Sequence, residues 1–231
     1  MKTDQGALNT DDEQPASLPD TGATHVLVES IVRGVERFRL PGSTSWSAIK
    51  ESFDDISGVW KLSAVLVPVV LRPAPTVLLT KRSSNLSEYS SHVSFPGGRP
   101  MESDHDVGCT ALRESFEEIC LDPNAVRLVG CLPIHKTRKR NHAIVPVIGL
   151  VSATAAWAAA PAEVEEIFEL PLATLLNSAL PRQYTDGERA GAWYWADQEY
   201  DIWGVTAVIL NSVAELLRAA DSEHDEDSRR A

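Results

Sequence analysis

The fold of this chain is decided by the run Arg113-Glu114-Ser115-Phe116-Glu117-Glu118, which lies in a helix predicted over residues 104–119. Glu114, Glu117 and Glu118 are spaced i, i+3 and i+4, so their carboxylates share one face of that helix. Like charges held this close repel one another, and a cation is expected to balance them. Closely spaced oxygen ligands suit Mg²⁺ or Mn²⁺. A solvated acidic helix face would carry the same residues, so the glutamates alone leave both interpretations open.

A glycine pair upstream of the helix favours the metal site. Gly97 and Gly98 follow a short predicted strand and precede the loop that leads into the helix. A glycine backbone can approach a phosphate closely or present its carbonyl to a metal ion. Counted from Gly98, the sequence is G-x5-D-x8-R-E-S-F-E-E-I-C-L. The glycine therefore stands at a fixed distance before the three carboxylates.

This pattern resembles the Nudix box, G-x5-E-x7-R-E-U-x-E-E-x-G-U, where U is aliphatic. Asp104 stands where the box has Glu, and the gap that follows is one residue longer. Ser115 replaces an aliphatic residue, and Cys120 replaces the glycine after the helix. The resemblance implies an α/β/α sandwich with a mixed sheet.

Residues around the box resemble one branch of the family, the coenzyme A pyrophosphatase-like Nudix proteins. Residues 78–98 read LLTKRSSNLSEYSSHVSFPGG, which is similar to that branch's L-L-T-x-R-S-x-x-L-x-x-H-x-G-x-x-x-F-P-G-G. Tyr89 replaces the usual His, and Ser91 replaces the usual Gly. Segments 163–172 and 202–207 also match the branch, so the resemblance covers about residues 63–215.

The resemblance implies metal-dependent hydrolysis of the pyrophosphate of coenzyme A or acyl-coenzyme A. The products would be 3′,5′-ADP and 4′-phosphopantetheine or its acyl form, with Mg²⁺ or Mn²⁺ as cofactor. The implied metal ligands are Glu114, Glu117, Glu118 and the carbonyl of Gly98, and Arg113 would orient Glu114. Glu163 and Glu166 are candidates for the general base, although a solvated strand glutamate is the commoner explanation for such residues.

Several residues are predicted to bind the nucleotide substrate. Residues 136–142 read KTRKRNH, which places four positive charges between two predicted strands of an acidic protein. Arg138 and Arg140 in this loop would hold a phosphate outside the scissile bond, such as the 3′-phosphate of coenzyme A. A solvated hairpin loop is the alternative interpretation. The other predicted substrate-binding residues are Arg82, Gly97 and Gly98.

Two other functions stay open at this point. The changes at Tyr89 and Ser91 would suit a hydrolase of ADP-ribose or another nucleoside diphosphate derivative. A Nudix-fold binding or regulatory module with little turnover is a hypothesis of a different class. The intact Arg-Glu-x-x-Glu-Glu core argues against it, because a binder has no need of three adjacent carboxylates.

The remainder of the 231 residues predicts one domain with additions at both ends. Residues 1–23 and 220–231 are acidic and predicted to be disordered. Residues 24–58 form a predicted helical N-terminal extension, and residues 59–219 the Nudix domain. Tryptophans Trp193, Trp195 and Trp203 are expected to fill the core rather than to stack on a base.

Charge and hydropathy restrict the partners. The net charge is −12, and much of it comes from the two ends, so no broad basic surface for nucleic acid is implied. No apolar run reaches the ~18 residues that span a bilayer, and no targeting segment is evident. We therefore expect a cytoplasmic protein with no membrane partner. The apolar surface of the helical extension would suit a homodimer.

Overall fold

A computed structural model of the chain describes residues 21–36, 44–52, 60–86, 89–137, 141–196 and 199–230. Within these residues, eight strands form one mixed sheet around a parallel pair, β1 (Lys61–Val70) and β7 (His142–Val151). The other strands of this sheet are β2 (Thr76–Arg82), β3 (Val93–Ser94), β4 (Gly97–Gly98), β5 (Val126–Cys131), β6 (His135–Thr137) and β8 (Val164–Pro171). β1 pairs antiparallel with β2 and β4, β7 with β5 and β6, and β2 with β3 and β8.

The central strands are buried on both faces, which explains why they read as continuous apolar runs in the sequence. Nearly every residue of β1 and β7 is enclosed. A strand that is buried on both faces is apolar throughout. A strand with one solvent-exposed face alternates polar and apolar residues. β8, at the side of β2, is less enclosed: Val164 and Leu170 are buried, whereas Glu165 and Glu166 are exposed.

Two prolines mark the places where the central strands change partners. Leu66 donates its N–H to the carbonyl of Pro96, beside β4, so the nitrogen of Pro68 faces the same side of β1. β1 pairs with β4 at Ala64 and Val65 and with β2 only from Val69, so the missing N–H falls between the two partners. Pro146 similarly lies between the β6 and β5 pairings of β7. Since proline cannot donate to a ladder, these positions tolerate it, and the sheet splits there.

Helices cover both faces of the sheet. They are α1 (Thr21–Glu36), α2 (Trp46–Glu51), α3 (Val107–Ile119), α4 (Leu172–Leu175) and α5 (Val205–Arg230), with one 3₁₀ turn at Pro123–Ala125. α2 and α3 pack with Ala64 and Leu66 on one face, and α1 and α5 pack with Val67 and Ile148 on the other. The predicted α/β/α sandwich with a mixed sheet is confirmed. In the described part of the chain, no helix combines the length and apolarity needed to span a membrane.

A second, small antiparallel sheet packs against α5. It consists of β9 (Arg182–Gln183), β10 (Trp193–Ala196) and β11 (Asp201–Trp203). Trp195 is buried in the core and donates its indole N–H to the carbonyl of Ala207. Trp203 is only half-buried and Trp193 is 39% exposed, so the core prediction is correct for Trp195 and wrong for Trp193.

The first turn of α3 differs from its prediction. The helix begins at Val107, and its cap is Asp106, which accepts a hydrogen bond from the backbone N–H of Cys109 at 2.8 Å. The sequence predicted that the helix begins at residue 104. Asp104 instead lies before the helix, where its carboxylate accepts a hydrogen bond from Arg113.

The chain ends also differ in part from the prediction. α5 continues to Arg230, whereas the sequence predicted a helix end at 219 and a disordered tail over 220–231. Residues 220–230 contain neither Pro nor Gly, so nothing in them breaks the helix. α1 begins at Thr21, inside the predicted tail of residues 1–23, whose first 20 residues lie outside the described part. The predicted boundary between residues 58 and 59 also lies outside it.

Candidate active site

The glycine pair brings the backbone against β1 and α3. Gly97 has φ +155°, and a Cβ on it would lie 2.4 Å from the carbonyl oxygen of Ala64. A Cβ on Gly98 would lie 2.5 Å from the carboxyl carbon of Glu114. Neither position has room for a side chain, because β4 fills the split between β1 and β2 and the α3 carboxylates press against it. This fixes the backbone of the loop directly beside Glu114.

The guanidinium of Arg113 donates hydrogen bonds to several groups of the site. It donates to Glu114 Oε1 at 2.9 Å, to Glu117 Oε2 at 2.9 Å, to the carbonyl of Arg99 at 2.9 Å and to Asp104 Oδ2 at 3.0 Å. The hydrogen bonds to Asp104 are the main reason why the pKa of the Arg113 guanidinium lies above its usual range. Arg113 thus ties helix α3 to the preceding loop and holds the side chain of Glu114.

Glu118 is a buried carboxylate, only 3% exposed. Its Oε2 accepts the backbone N–H of Gly97 at 3.2 Å, and its Oε1 lies 3.5 Å from Arg82 Nη1. Burial raises the pKa of Glu118 to about 8, against the opposing effects of the Gly97 hydrogen bond and Arg82. The charges of Glu114 and Glu163 raise this pKa further. A carboxylate in such surroundings is stabilised in its charged form by a bound cation.

The three glutamates of the helix have different surroundings. Burial raises the pKa of Glu114, although the hydrogen bond from Arg113 lowers it. The side chain of Glu117 is 46% exposed and faces Arg113. Accordingly, no three His, Cys, Asp or Glu side chains of the described residues stand together in a position to hold one metal ion. The structure brings Glu114 and Glu118 to the glycine loop, while the more exposed Glu117 pairs with Arg113.

Arg82, at the end of β2, also lies next to the buried carboxylate of Glu118. Its Nη1 faces Glu118, while its Nε is buried and has no hydrogen-bond partner within the part of the chain that the structure describes. A buried guanidinium nitrogen without an acceptor is costly unless a ligand supplies one. The Nε–H of Arg82 is therefore available to donate a hydrogen bond to a ligand beside the carboxylates.

Glu163 and Glu166, the two candidates for the general base, have different surroundings. The charge of Glu163 raises the pKa of both Glu114 and Glu118, which places its carboxylate close to the site. Its backbone carbonyl accepts the N–H of Ser83, so the residue is held beside the end of β2. Glu166 instead accepts a hydrogen bond from the Tyr200 hydroxyl at 2.7 Å. The structure thus brings Glu163, and not Glu166, to the buried carboxylates.

The predicted phosphate clamp lies outside the described residues, since they omit 138–140 and therefore Arg138 and Arg140. The flanking residues are described. Thr137 ends β6 and His142 begins β7, and the two are partners in the antiparallel ladder. The predicted role of Arg138 and Arg140 therefore stays a prediction.

Two residues that support the site were not singled out from the sequence. Asp104 accepts hydrogen bonds from Arg113, from Thr110 and from the backbone N–H of Met101. Burial would raise the pKa of Asp104, but these hydrogen bonds lower it by more. Thr110 also accepts the indole N–H of Trp46 at 2.9 Å, which links the N-terminal extension to α3. The position of Asp104 in the box was the available signal, whereas nothing in the sequence marks the long-range pair of Trp46 and Thr110.

Comparison with known proteins agrees with this geometry. Residues 60–193 match the model of the NUDIX domain family, which is more than half of the chain. The chain belongs to the NUDIX family and is by family a Nudix hydrolase.

Particular relatives share much of its length. The chain is 36% identical over 155 residues to a Nudix hydrolase of Escherichia coli, NudL, described as uncharacterized, and the match covers 66% of this chain and 80% of NudL. Among solved structures, the NUDIX domain of Shewanella oneidensis NrtR in complex with ADP ribose is 21% identical, with a TM-score of 0.41, covering 55% of this chain and 85% of that domain. An Ap4A hydrolase of C. elegans is 13% identical, with a TM-score of 0.44, covering 71% and 98%.

Proposed function

We propose that this chain is a divalent-metal-dependent pyrophosphohydrolase that cleaves coenzyme A or acyl-coenzyme A into 3′,5′-ADP and 4′-phosphopantetheine or its acyl form. Membership in the NUDIX family supports the class of enzyme. The resemblance of residues 78–98 to the coenzyme A pyrophosphatase-like signature supports the substrate, together with segments 163–172 and 202–207.

The buried carboxylate of Glu118 is the observation on which the metal dependence rests. The charge of Glu163 raises the pKa of Glu114, and the charges of Glu114 and Glu163 raise the pKa of Glu118, while Arg82 Nη1 stands at 3.5 Å from Glu118 Oε1. Neighbouring carboxylates of this kind are suitable ligands for Mg²⁺ or Mn²⁺. Glu114, Glu118 and the Gly98 carbonyl would hold the ion. Glu117 would join them by a change of rotamer, which its exposure permits.

The side chains of the site then have separate roles. When bound, the metal would neutralise charge on the pyrophosphate oxygens and lower the pKa of the attacking water. Arg82 would donate its unpaired Nε–H to a substrate phosphate oxygen. Glu163 would accept the proton of the attacking water, and Arg113 would keep the carboxylate of Glu114 in place.

A second substrate class is favoured by one observation. Tyr89 and Ser91 depart from the coenzyme A signature, and both have a left-handed backbone, with φ of 55° and 59°. A loop altered at two such positions would suit ADP-ribose or another nucleoside diphosphate derivative. Both substrate classes are cleaved at a pyrophosphate, so the same catalytic residues serve either.

A substrate panel tests the proposal. Purified full-length protein is incubated with coenzyme A, acetyl-coenzyme A, dephospho-coenzyme A, ADP-ribose and NADH, each with Mg²⁺ and with Mn²⁺, and products are separated by chromatography. We expect the wild type to show its highest kcat/KM with coenzyme A or acetyl-coenzyme A. Glu118→Gln should hydrolyse neither compound. Preference for ADP-ribose would establish the second substrate class. No turnover of any compound by the wild type would favour a binding module instead.

The predicted phosphate clamp has its own test. Charge reversal at Arg138 and Arg140 together is expected to raise KM for coenzyme A far more than KM for dephospho-coenzyme A, which lacks the 3′-phosphate. Charge reversal at Arg127 and Arg182 together, exposed on β5 and β9, is the matched control for a change in net charge. Equal effects on both substrates would contradict the clamp.

A further inference from the structure

The loop between β2 and β3 folds back onto the backbone of Arg82. Arg82 donates its N–H to the carbonyl of His92 at 2.9 Å, and Ser91 donates its N–H to the carbonyl of Arg82 at 3.2 Å. Tyr89 then closes the turn, because its carbonyl accepts the N–H of His92 at 3.3 Å. These bonds fix the position of Tyr89 and His92 relative to Arg82, whose guanidinium faces the buried carboxylate of Glu118.

Aromatic rings continue from this loop in a row. The ring of Tyr89 meets that of His92 edge-on, with centroids 5.6 Å apart and an interplanar angle of 78°. The ring of His92 lies 5.1 Å from that of Trp203. The Arg189 guanidinium stands 4.0 Å above Trp203 and is held there by Asp201 Oδ2 at 2.7 Å. The row is therefore supported at its far end by a cation over the indole.

Tyr89 is the most exposed residue of this row. Tyr89 is 41% exposed, which is unusual for an aromatic residue. Its backbone φ of 55° is rare for a bulky residue. Backbone conformations of this kind persist where surrounding contacts impose them, and they concentrate at ligand-binding sites. An exposed aromatic residue, presented by a constrained loop that is bonded to Arg82, is the kind of surface on which a nucleobase stacks.

We propose that Tyr89, supported by His92 and Trp203, is the stacking surface for the nucleobase of the substrate. This inference rests on the proposed function, since it assumes a nucleoside diphosphate at the site. It adds that the nucleotide half of the substrate is held on the Arg82 side of the carboxylates. The replacement of the signature His by Tyr89 would then enlarge the stacking surface in this chain.

Equilibrium binding tests the inference without turnover. ADP and inorganic pyrophosphate are titrated calorimetrically into wild-type protein with Ca²⁺ and into Tyr89→Ala and Tyr89→Phe. Loss of one stacked base corresponds to a roughly 5- to 100-fold weaker affinity. We therefore expect Tyr89→Ala to raise the Kd for ADP by that factor and to leave the Kd for pyrophosphate unchanged. Tyr89→Phe, which keeps the ring, should bind ADP like the wild type.

Trp193→Ala is the matched control, because Trp193 is similarly exposed but lies on β10, outside the row. It should bind ADP like the wild type. Equal weakening of ADP and pyrophosphate by Tyr89→Ala would overturn the inference and show that the loop only positions Arg82. Unchanged ADP binding in Tyr89→Ala, or wild-type ADP binding no tighter than that of pyrophosphate, would overturn it as well. None of these outcomes depends on which compound is hydrolysed, so failure of the substrate panel is distinguishable from failure of the stacking site.

Discussion

Arg82 Nη1 lies 3.5 Å from Glu118 Oε1, so a guanidinium at the end of β2 faces a carboxylate enclosed by α3 and the glycine loop. At this length the contact is an ion pair without a short hydrogen bond. Glu114 and Glu163 add negative charge beside it, and both raise the pKa of Glu118. The charged form of Glu118 is therefore disfavoured in the free protein, and a bound divalent cation would favour it.

Metal binding is expected to stabilise the wild-type protein through Glu118. An ion present at 100 times its Kd adds about 2.7 kcal/mol, which corresponds to a rise in Tm of roughly 5–10 °C for a protein of this size. Differential scanning calorimetry with and without Mg²⁺ measures the shift. Glu118→Gln should lose most of it, whereas Glu165→Gln, paired with Lys81 at the surface, should retain it. The same Mg²⁺ shift in Glu118→Gln as in the wild type would refute a ligand role for Glu118.

Glu163 and Glu166 provide a matched pair for identifying the general base. Removal of a general base lowers kcat by about 10²–10⁴-fold. We expect that loss in Glu163→Gln, because Glu163 lies close to the buried carboxylates, and near-normal kcat in Glu166→Gln, whose partner is Tyr200. Steady-state kinetics at saturating substrate measures kcat for both variants. If Glu166→Gln is the slower variant, the assignment is reversed.

Much of the fold was predictable because its signals are local. The apolar runs of β1 and β7, the glycine pair and the spacing of Glu114, Glu117 and Glu118 each arise from a short stretch of sequence. Periodicity alone placed these carboxylates on one face of α3, and the structure keeps that face. The mixed sheet followed from the resemblance to the family.

The site was predictable only in part because its details depend on contacts between distant residues. Glu117 turns to Arg113 through the choice of a rotamer, which spacing does not determine. The distinction between Glu163 and Glu166 depends on how β8 pairs with β2, where the register shifts between Lys81 and Arg82. Asp104 binds Arg113, nine residues further along the chain, and the cap falls to Asp106. Each of these outcomes needs three-dimensional contacts that the sequence does not state.

The end of α3 contains a residue whose replacement should stabilise the protein. Cys120 has φ 52° and ψ 26°, and its N–H donates to the carbonyl of Phe116 at 2.9 Å, so it occupies the left-handed position that usually holds glycine. A side chain there is disfavoured by about 1–2 kcal/mol, and the greater flexibility of unfolded glycine offsets part of this cost. Cys120→Gly is therefore expected to raise the free energy of unfolding by roughly 0.5–1 kcal/mol.

Urea unfolding under reducing conditions measures the effect as a higher midpoint with an unchanged slope. Cys120→Ala is the control, since it removes the thiol but keeps the Cβ that clashes in this conformation. It should show no gain. Equal stabilisation by both variants would mean that the thiol, and not the backbone conformation, carries the cost.

Glu169 is expected to make the stability depend on pH in the acidic range. Arg72 donates to both of its oxygens, at 2.8 Å from Nε to Oε2 and 2.7 Å from Nη2 to Oε1, and Thr76 donates to Oε2 as well. The hydrogen bonds from Arg72 hold the pKa of Glu169 below its usual value, although burial opposes them. The folded state thus releases this proton more readily than the unfolded state. Its stabilising contribution is present above the unfolded pKa and is lost as the pH falls through the lower folded value.

Glu169→Gln should consequently reduce the free energy of unfolding at pH 7 by about 1 kcal/mol, a modest value because Arg72 is partly exposed and solvent screens the pair. The difference from the wild type should shrink as the pH falls below about 4.3, the ordinary pKa of glutamate, because the protonated wild-type side chain then resembles glutamine. Urea unfolding at intervals from pH 7 to pH 3 measures both quantities. Glu102→Gln, at an exposed position before α3, should show no such pH dependence. A difference that stays constant down to pH 3 would show that Glu169 stabilises the fold through neutral hydrogen bonds and not through its charge.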